Sequence, residues 1–254
     1  MLKELVRDGM RVGVYETREQ MGAAAAAAVA TAIGELLKEQ EAVNMVFAAA
    51  PSQNEFLAAL LLEGVDWGRV NAFHMDEYIG LEDDVSRRFA TYLRERLFEK
   101  VSFRSVHYLN GRAADPSVEC ARYAALLRQF PTDIVCMGIG ENSHIAFNDP
   151  PVADFSDPQL VKIVMLDGDC RQQQVNDNCF PSLEQVPTRA MTLTIPALLK
   201  GRKLFVIVPG ERKAMAVYHT LNSPVREQWP STILRRHPAV GLFLDKDSCK
   251  MIKL

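Results

Sequence analysis

Short β-rich apolar runs alternate with amphipathic helical stretches along nearly the whole chain. Several of the runs are hydrophobic at consecutive positions, which is typical of strands covered on both faces. Strands are predicted at MRVGVYE (10–16), NMVFAAA (44–50), RVNAFHM (69–75), DIVCMGI (133–139), VKIVML (161–166), KLFVIVP (203–209) and VGLFLD (240–245). Helices are predicted at 18–40, 52–64, 86–101, 117–130 and 211–223. The alternation predicts an α/β fold with a mainly parallel twisted sheet flanked by helices on both faces.

Chain length and composition are those of one globular unit. The 254 residues can bury a full core, and no linker rich in Pro, Gly or Ser divides them, so residues 1–254 are predicted to form a single domain. Hydrophobic residues make up 48% and charged residues 24%, close to the averages of soluble globular proteins, which argues against a fibrous or disordered chain. The alanine run 23–28 fits a helix that packs closely on the sheet.

Charge and cysteine usage narrow the partners and the compartment. The net charge is -3 and no basic block is interleaved with aromatics, so no nucleic-acid partner is predicted. No apolar run is long enough to span a bilayer, and the first residues lack the apolar segment of a signal peptide, so no membrane partner is predicted. The five cysteines are odd in number and contain no C-x-x-C pair, which fits neither a disulfide framework nor a zinc site. Cysteines that form no disulfides are typical of a reducing compartment, so a cytoplasmic location is predicted.

Loops after the predicted strands are where function is expected. Ser52 and Ser117 are placed as helix N-caps, and Gly64 as the residue that ends a helix. In a parallel α/β sheet, ligands bind outside the carboxyl ends of the strands. The loops at those ends are APSQ (50–53), MDEY (75–78), GENSHIAFNDPP (140–151), DGDCR (167–171) and PGERK (209–213).

Two adjacent acids follow the strand RVNAFH. Neighbouring residues at a strand end point to opposite faces, so only one of Asp76 and Glu77 is expected to enter a cleft. A carboxylate there serves as a general base if desolvation raises its pKa toward neutrality. A solvated turn or a helix cap would place acids there as well.

The loop GIGENSHIAFNDPP (138–151) allows three interpretations. Its glycines resemble a dinucleotide fingerprint, but Ser143 occupies the place of the third glycine and two prolines follow soon after, so no nucleotide cofactor is predicted. His144, followed by Asp149, is a residue pair that exchanges protons near neutral pH, or a histidine that satisfies local backbone groups. No second histidine lies at ligand spacing, so no metal is predicted.

Two cations are candidates for an anion site. Lys213 lies in the first turn of a predicted helix just after Gly210, where free backbone N–H groups favour an anion. Arg171 could add a bidentate contact to the same phosphate, although either cation alone is also typical of a solvated surface.

Taken in order, the loops resemble the glucosamine-6-phosphate deaminase/isomerase family, relatives of the 6-phosphogluconolactonases. The motifs that carry the resemblance are MDEYIGL (75–81), GIGENSHIAFNDP (138–150), DGDCRQQQ (167–174), VPTRAMTLTIPALL (186–199), VPGERKA (208–214) and RRHPAVGLFLD (235–245). They span most of the chain. The resemblance implies a Rossmann-like fold of the sugar-phosphate isomerase type and a hydrolase/isomerase that needs no cofactor.

The resemblance also implies roles for individual residues. Asp76 matches the general base that removes the C2 proton of the opened sugar, with Glu77 beside it. His144 matches the histidine that assists ring opening, and Asp149 stands where the family usually has a glutamate that orients it. The substrate phosphate is expected at Ser52, Arg171 and Lys213.

Three departures from the family pattern concern the same loops. Asn142 replaces the usual aspartate two residues before the histidine, and it accepts a hydrogen bond but carries no charge. Asp149 is shorter than the usual glutamate by one C–C bond, about 1.5 Å. The glycine-rich phosphate loop is here AAPS (49–52), in which proline lacks an N–H donor.

Several functions stay open at this level. The resemblance implies conversion of glucosamine-6-phosphate to fructose-6-phosphate and ammonia, and galactosamine-6-phosphate is the alternative substrate. Hydrolysis of 6-phosphogluconolactone is the second enzymatic alternative, although it would not need Asp76. A sugar-phosphate sensor with weakened catalysis is the alternative that is not an enzyme, and a homo-oligomer is compatible with the resemblance.

Overall fold

The computed structural model describes residues 1–81 and 85–252. Its strands are β1 Lys3–Arg7, β2 Met10–Tyr15, β3 Val43–Phe47, β4 Val70–His74, β5 Asp76–Tyr78, β6 Ser105–His107, β7 Ile134–Met137, β8 Val161–Met165, β9 Arg189–Leu193, β10 Lys203–Val208 and β11 Val240–Asp245. Its α-helices are α1 Arg18–Leu36, α2 Asn54–Leu60, α3 Phe89–Leu93, α4 Pro116–Gln129, α5 Gly168–Asn176, α6 Ile195–Leu198 and α7 Ala214–Asn222. A π-helical segment, Arg94–Phe98, extends α3.

The main sheet confirms the predicted α/β class. Within the described ranges it has eight strands in the order β1-β2-β11-β10-β7-β3-β4-β6. Every neighbouring pair is parallel except β1 and β2, which form an antiparallel hairpin at one edge. Apolar side chains cover both faces, one cluster including residues of α1 and α2 and the other residues of α4 and α7. The continuous hydrophobic runs of the strands follow from this two-sided burial.

Strand order places the functional loops at one point of the sheet edge. The chain builds β3, β4 and β6 outward in one direction, and β7, β10, β11 in the other. β3 and β7 are therefore adjacent parallel strands whose following loops diverge, which is the topological switch point where α/β sheets bind ligands. The loop after β3 carries Ser52, and the loop after β7 carries His144.

The described chain also forms a three-stranded sheet, which the alternation of strands and helices did not predict. The run at 161–166 forms β8, which pairs antiparallel with β9, and β9 pairs antiparallel with the short strand β5. The sequence pattern identified β8 as a strand because the run is apolar, but periodicity does not specify a partner. β1, β5, β6 and β9, together with α5 and α6, were not predicted.

Helix ends differ from the predicted caps. α4 begins one residue before Ser117, because the Asp115 side chain accepts hydrogen bonds from the N–H groups of Ser117 and Val118 at 2.8 and 3.4 Å. α2 begins at Asn54 after a 3-10 turn at Pro51–Gln53, so Ser52 lies within that turn and caps neither helix. α2 itself ends at Leu60, well before Gly64.

The alanine run lies where α1 meets both the sheet and α2. Ala25 and Ala26 are fully buried, as expected of a closely packed helix. A Cβ at Gly22 would lie 2.7 Å from the backbone of Glu55 in α2, so side chains larger than hydrogen cannot be accommodated at that crossing. The five cysteines are free thiols. Among the described helices, none is long and apolar enough to cross a membrane.

Candidate active site

Asp76 lies at the junction of the two sheets. Strand β4 of the main sheet ends at His74, and after Met75 the chain enters β5 of the small sheet. The His74 ring fixes this step, because Nδ1 donates to the Asp76 carbonyl at 2.9 Å and Nε2 accepts from the Leu109 N–H at 2.9 Å. Burial lowers the pKa of His74 to about 4, so the ring is neutral and holds the backbone as a fixed donor and acceptor.

The two acids at the strand end diverge as strand geometry requires. Asp76 lines a cavity at the switch point, and no described residue donates a hydrogen bond to its carboxylate. Glu77 points elsewhere: its carboxylate accepts from the N–H groups of Tyr78, Phe89 and Ala90 at 2.9, 3.1 and 2.9 Å. Glu77 therefore anchors the start of α3. Burial, and then the charge of Glu77, raise the pKa of Asp76 well above its ordinary value, which suits a general base.

Glu77 makes folding stability depend on pH. Burial raises its pKa from 4.5 to about 7, against the opposing effect of three N–H donors. As pH rises, this carboxyl ionises in the unfolded state before it ionises in the folded state. Between pH 4.5 and about 7 the unfolded state therefore binds fewer protons, and the free energy of unfolding falls as pH rises. We expect the free energy of unfolding to drop by about 1 to 3 kcal/mol across this window from this group. Urea denaturation at several pH values, compared between wild type and Glu77→Gln, measures the difference, and parallel curves for the two proteins would contradict it.

The His144 loop is shaped around the imidazole. A Cβ at Gly140 would lie 2.1 to 2.3 Å from three atoms of the ring, so glycine is required there by close approach. Ser143 and Ala146 adopt left-handed backbone conformations with φ of 71° and 49°. Such conformations cost roughly 1 to 2 kcal/mol in residues other than glycine, and they cluster at functional sites. Gly140 thus allows the His144 ring to lie against the backbone of the loop.

The tautomer of His144 follows from its neighbours. Its Nδ1 lies 2.7 Å from Asn142 Oδ1 and 2.9 Å from Asp149 Oδ1, two acceptors, so Nδ1 carries the proton. The amide orientation of Asn142 is fixed as well, because Oδ1 also accepts from the His144 N–H and Nδ2 donates to Asp149 Oδ1 at 3.1 Å. The second ring nitrogen, Nε2, makes no hydrogen bond to a described residue. Nε2 is therefore the acceptor of the neutral ring, and His144 lines the cavity.

Asp149 remains ionised behind the imidazole. Burial by itself would raise its pKa, but His144, Asn142 and the nearby Cys170 together hold that pKa below its ordinary value. Asp149 is fully buried, and its Oδ2 atom makes no hydrogen bond with nitrogen or oxygen donors in the described chain. The thiol of Cys170 is a weak hydrogen-bond donor to the Asp149 carboxylate, and this interaction helps to lower the pKa of Asp149.

A second group of residues builds an anion-binding end. Ser52 and Lys213 line the cavity that contains Asp76 and His144, and they also line a neighbouring cavity of about 390 Å³. Gly210, with φ of 92°, precedes the 3-10 turn Glu211–Lys213 that leads into α7. Lys213 is nine-tenths buried, and burial lowers the pKa of its ammonium group. The cavity around Asp76 holds only about 60 Å³, so the wider space lies at the cationic end.

Arg171 is placed differently from the expected phosphate contact. It lies on α5, and its guanidinium Nη2 donates to the backbone carbonyls of Leu183 and Val186 at 2.6 and 3.0 Å. Arg171 lines neither of the two cavities, whereas Arg18 and Arg212 line the wider one. The motif DGDCR places an arginine after β8, as the sequence indicated. It does not show that the Arg171 side chain points toward the loop that follows α5.

Two glutamines of α5 reach the cavity and were not predicted. Gln173 and Gln174 line it, and Gln173 Oε1 accepts from the Glu141 N–H at 2.8 Å. The sequence held a signal for them: Cys170, Gln173 and Gln174 are spaced i, i+3, i+4, so a helix places them on one face, and all three are buried. Met75 and Phe89 complete the apolar part of the wall.

Fold and site together define an α/β protein with an acid–base and anion-binding cleft at the carboxyl edge of a parallel sheet. The model of the family "Glucosamine-6-phosphate isomerases/6-phosphogluconolactonase" matches residues 16–241. The chain belongs to that family.

Individual relatives agree with the family match. A glucosamine-6-phosphate deaminase of Exiguobacterium sp. (strain ATCC BAA-1283 / AT1b) is 36% identical over 183 residues, which are 72% of this chain and 70% of the relative. A solved monomeric glucosamine-6-phosphate deaminase superposes with a TM-score of 0.85 at 28% identity, covering 94% of this chain and 99% of its own. A 6-phosphogluconolactonase from Thermotoga maritima superposes with a TM-score of 0.76 at 19% identity, covering 93% and 100%, and shows the same fold.

Proposed function

We propose that this protein converts a 2-amino-2-deoxy-hexose 6-phosphate, glucosamine-6-phosphate first, to the 2-ketose phosphate and ammonia. One observation carries the proposal: an aspartate that accepts no hydrogen bond from a described residue, a histidine whose Nδ1 faces two acceptors and a buried lysine line the same cavity. These residues are Asp76, His144 and Lys213. The family match and the names of the relatives at 32 to 36% identity support the same reaction.

Ring opening is the step assigned to His144. A closed pyranose has no acidic proton at C2, so a proton must first leave the O1 hydroxyl and a proton must reach the ring oxygen O5. Nε2 of His144 accepts the proton of the O1 hydroxyl and delivers it to the ring oxygen O5. Asp149 and Asn142 keep Nδ1 protonated and stabilise the imidazolium that forms in between.

Isomerisation is the step assigned to Asp76. In the open chain the C2 hydrogen lies α to the C1 carbonyl, and the Asp76 carboxylate removes it to give an enolamine. Return of the proton to C1 gives an iminium group at C2. Water adds to C2 and ammonia leaves, so the net reaction consumes one water. A raised pKa makes Asp76 a stronger base than an exposed carboxylate.

Phosphate binding is assigned to the end of the cleft remote from the reacting carbons. Ser52 offers a hydroxyl, and the turn before α7 offers Lys213 with backbone N–H groups. Gln53 positions Ser52, since its Nε2 donates to the Ser52 hydroxyl and to the Ile207 carbonyl at 3.2 Å each. Interactions at this end orient the sugar and supply binding energy.

Ammonia release tests the proposal. The purified protein is incubated with glucosamine-6-phosphate and, in parallel, with galactosamine-6-phosphate and 6-phosphogluconolactone, and ammonia or lactone opening is followed by coupled assays. We expect ammonia from an amino sugar and solvent deuterium at C2 of the recovered substrate. Lactone opening without ammonia would replace this proposal by the lactonase alternative. Tight binding of all three with no turnover would favour a sensor.

Removing the buried ammonium should weaken substrate binding selectively. Lys213→Met deletes a charge-assisted contact to phosphate, and we expect KM to rise by about 10- to 100-fold, since such a bond is worth roughly 1.5 to 3 kcal/mol. Arg171→Met is the matched control. It removes bonds to the Leu183 and Val186 carbonyls, so it should lower the melting temperature and leave KM within about threefold. A larger KM effect at Arg171 than at Lys213 would reverse the assignment of the phosphate site.

A further inference from the structure

The catalytic imidazole and Asp149 form, together with Cys170, a cluster of metal-ligating groups to which the proposed reaction assigns no metal. His144, Asp149 and Cys170 each offer one ligand atom, and these nitrogen, oxygen and sulfur atoms all lie within 4.8 Å of one another. All three residues are more than nine-tenths buried. We infer that this cluster is an inhibitory binding site for a divalent transition-metal ion, with Zn²⁺ as the best-suited ion. The spacing of these residues along the chain does not indicate the site, because Cys170 lies on α5 whereas His144 and Asp149 lie on the loop after β7.

The spacing of the three ligand atoms fits a tetrahedral ion whose fourth position is not supplied by this cluster. Zn²⁺ bonds of about 2.0 to 2.3 Å place neighbouring ligand atoms roughly 3.3 to 3.8 Å apart. The cluster already brackets this range, with His144 Nδ1 and Asp149 Oδ1 at 2.9 Å and the whole set within 4.8 Å. Asp149 Oδ2 is a buried oxygen without a nitrogen or oxygen donor among the described residues, so it has lone pairs available. Small side-chain shifts therefore suffice to accommodate the ion.

Charge balance also favours a divalent ion. A buried cation is costly unless its ligands neutralise it. Burial and the charge of Asp149 raise the pKa of the Cys170 thiol, so the thiolate forms only as its sulfur bonds to the metal. The Asp149 carboxylate and this thiolate then contribute two negative charges, and the complex with Zn²⁺ is neutral. On binding, the Cys170 S–H proton passes to solvent and the sulfur pair bonds to the metal. The proton of His144 moves from Nδ1 to Nε2 through water, and the Nδ1 pair bonds to the metal.

Inhibition follows from the new tautomer, and this half of the inference rests on the proposed function. Ring opening needs Nε2 of His144 as a proton acceptor. With the metal on Nδ1, Nε2 carries the proton and becomes a donor, so the first proton transfer is blocked. The anion-binding end, built from Ser52 and Lys213, is untouched.

Cobalt is the probe that tests the binding half without any activity assay. The chelator-treated protein is titrated with Co²⁺, and we expect one equivalent to give a thiolate-to-cobalt charge-transfer band and intense tetrahedral visible bands, both removed by Zn²⁺. Cys170→Ser should abolish the charge-transfer band, and Cys179→Ser, which removes a more accessible thiol, should keep it. Circular dichroism and a second variant, Cys170→Ala, establish that loss of the band is not loss of fold. No band in wild type, or a band that survives in folded Cys170 variants, overturns the inference.

Ammonia release tests the inhibitory half. Zn²⁺ should stop turnover of the wild type at one equivalent, and EDTA should restore it. In Cys170→Ser the Zn²⁺ concentration for half inhibition, relative to that variant's own metal-free rate, should rise by at least about 10-fold, which is about 1.4 kcal/mol. Full turnover with the cobalt site occupied would refute the tautomer mechanism while leaving the metal site in place. If the protein deaminates no sugar, the cobalt spectra still decide whether the site exists.

Discussion

Asp76→Asn is expected to lower kcat for ammonia release by about 10²- to 10⁴-fold, the contribution of a positioned general base. The asparagine keeps the size and polarity of the side chain but has no basic carboxylate. Exchange of the C2 hydrogen with solvent deuterium should disappear with it, because both depend on the same proton abstraction. Substrate Kd, measured by calorimetry, should change little, since the proposed phosphate-binding residues Ser52 and Lys213 are unchanged.

The neighbouring acid provides the matched control. Glu77→Gln makes the same carboxyl-to-amide change one residue away, but Glu77 holds N–H groups at the start of α3 and does not line the cavity. We expect this variant to lose about 1 to 3 kcal/mol of stability through an unsatisfied N–H group, and to retain C2 exchange when rates are normalised to folded protein. Exchange lost in Glu77→Gln and retained in Asp76→Asn would exchange the roles of the two acids.

Gly140→Ala should inactivate the enzyme without touching any polar group. The new Cβ would occupy space 2.1 to 2.3 Å from ring atoms of His144, so the imidazole must leave its position between Asn142 and Asp149. We expect kcat to fall by about 10²-fold or more, as for loss of the ring-opening acid–base group, and stability to fall by about 1 to 3 kcal/mol from overpacking. Steady-state kinetics and urea denaturation measure the two effects.

Gly34→Ala is the control for the glycine change itself. Gly34 lies near the end of α1, and a Cβ there meets nothing within 4 Å. This variant should gain about 0.5 to 1 kcal/mol of stability and keep its kcat. Wild-type kcat in Gly140→Ala would show that the His144 ring can be repositioned at no cost to turnover.

Much of the fold could be predicted because burial on both faces leaves a direct trace in the sequence. Strands of the main sheet such as β10 are apolar at consecutive positions, and the pattern is visible without any neighbour. The small sheet left no such trace. β5 has only three residues, and its pairing with β9 joins segments more than a hundred residues apart, which local periodicity does not encode.

The site shows the same division. Asp76 and His144 could be located because they follow strands, and the strand order brings their loops together. The direction of the Arg171 side chain could not be predicted, since it depends on how the segment after α5 packs against the helix. Gln174 was missed for a different reason: its helical spacing from Cys170 was readable, but an uncharged amide suggests no chemistry until a cavity wall is seen.

The candidate site is divided between two sheets, which separates the proposed base from the proposed phosphate contacts. Asp76 is held by the three-stranded sheet, whereas Ser52 and Lys213 follow strands of the eight-stranded sheet. The three-stranded sheet has fewer strand partners than the eight-stranded one, and different cooperative units of a fold open locally at different free energies. A molecule whose small sheet has opened still binds phosphate through Ser52 and Lys213, but Asp76 is no longer in position to deprotonate the sugar. Heat inactivation of this protein is therefore expected to pass through a state that still captures its substrate and no longer consumes it.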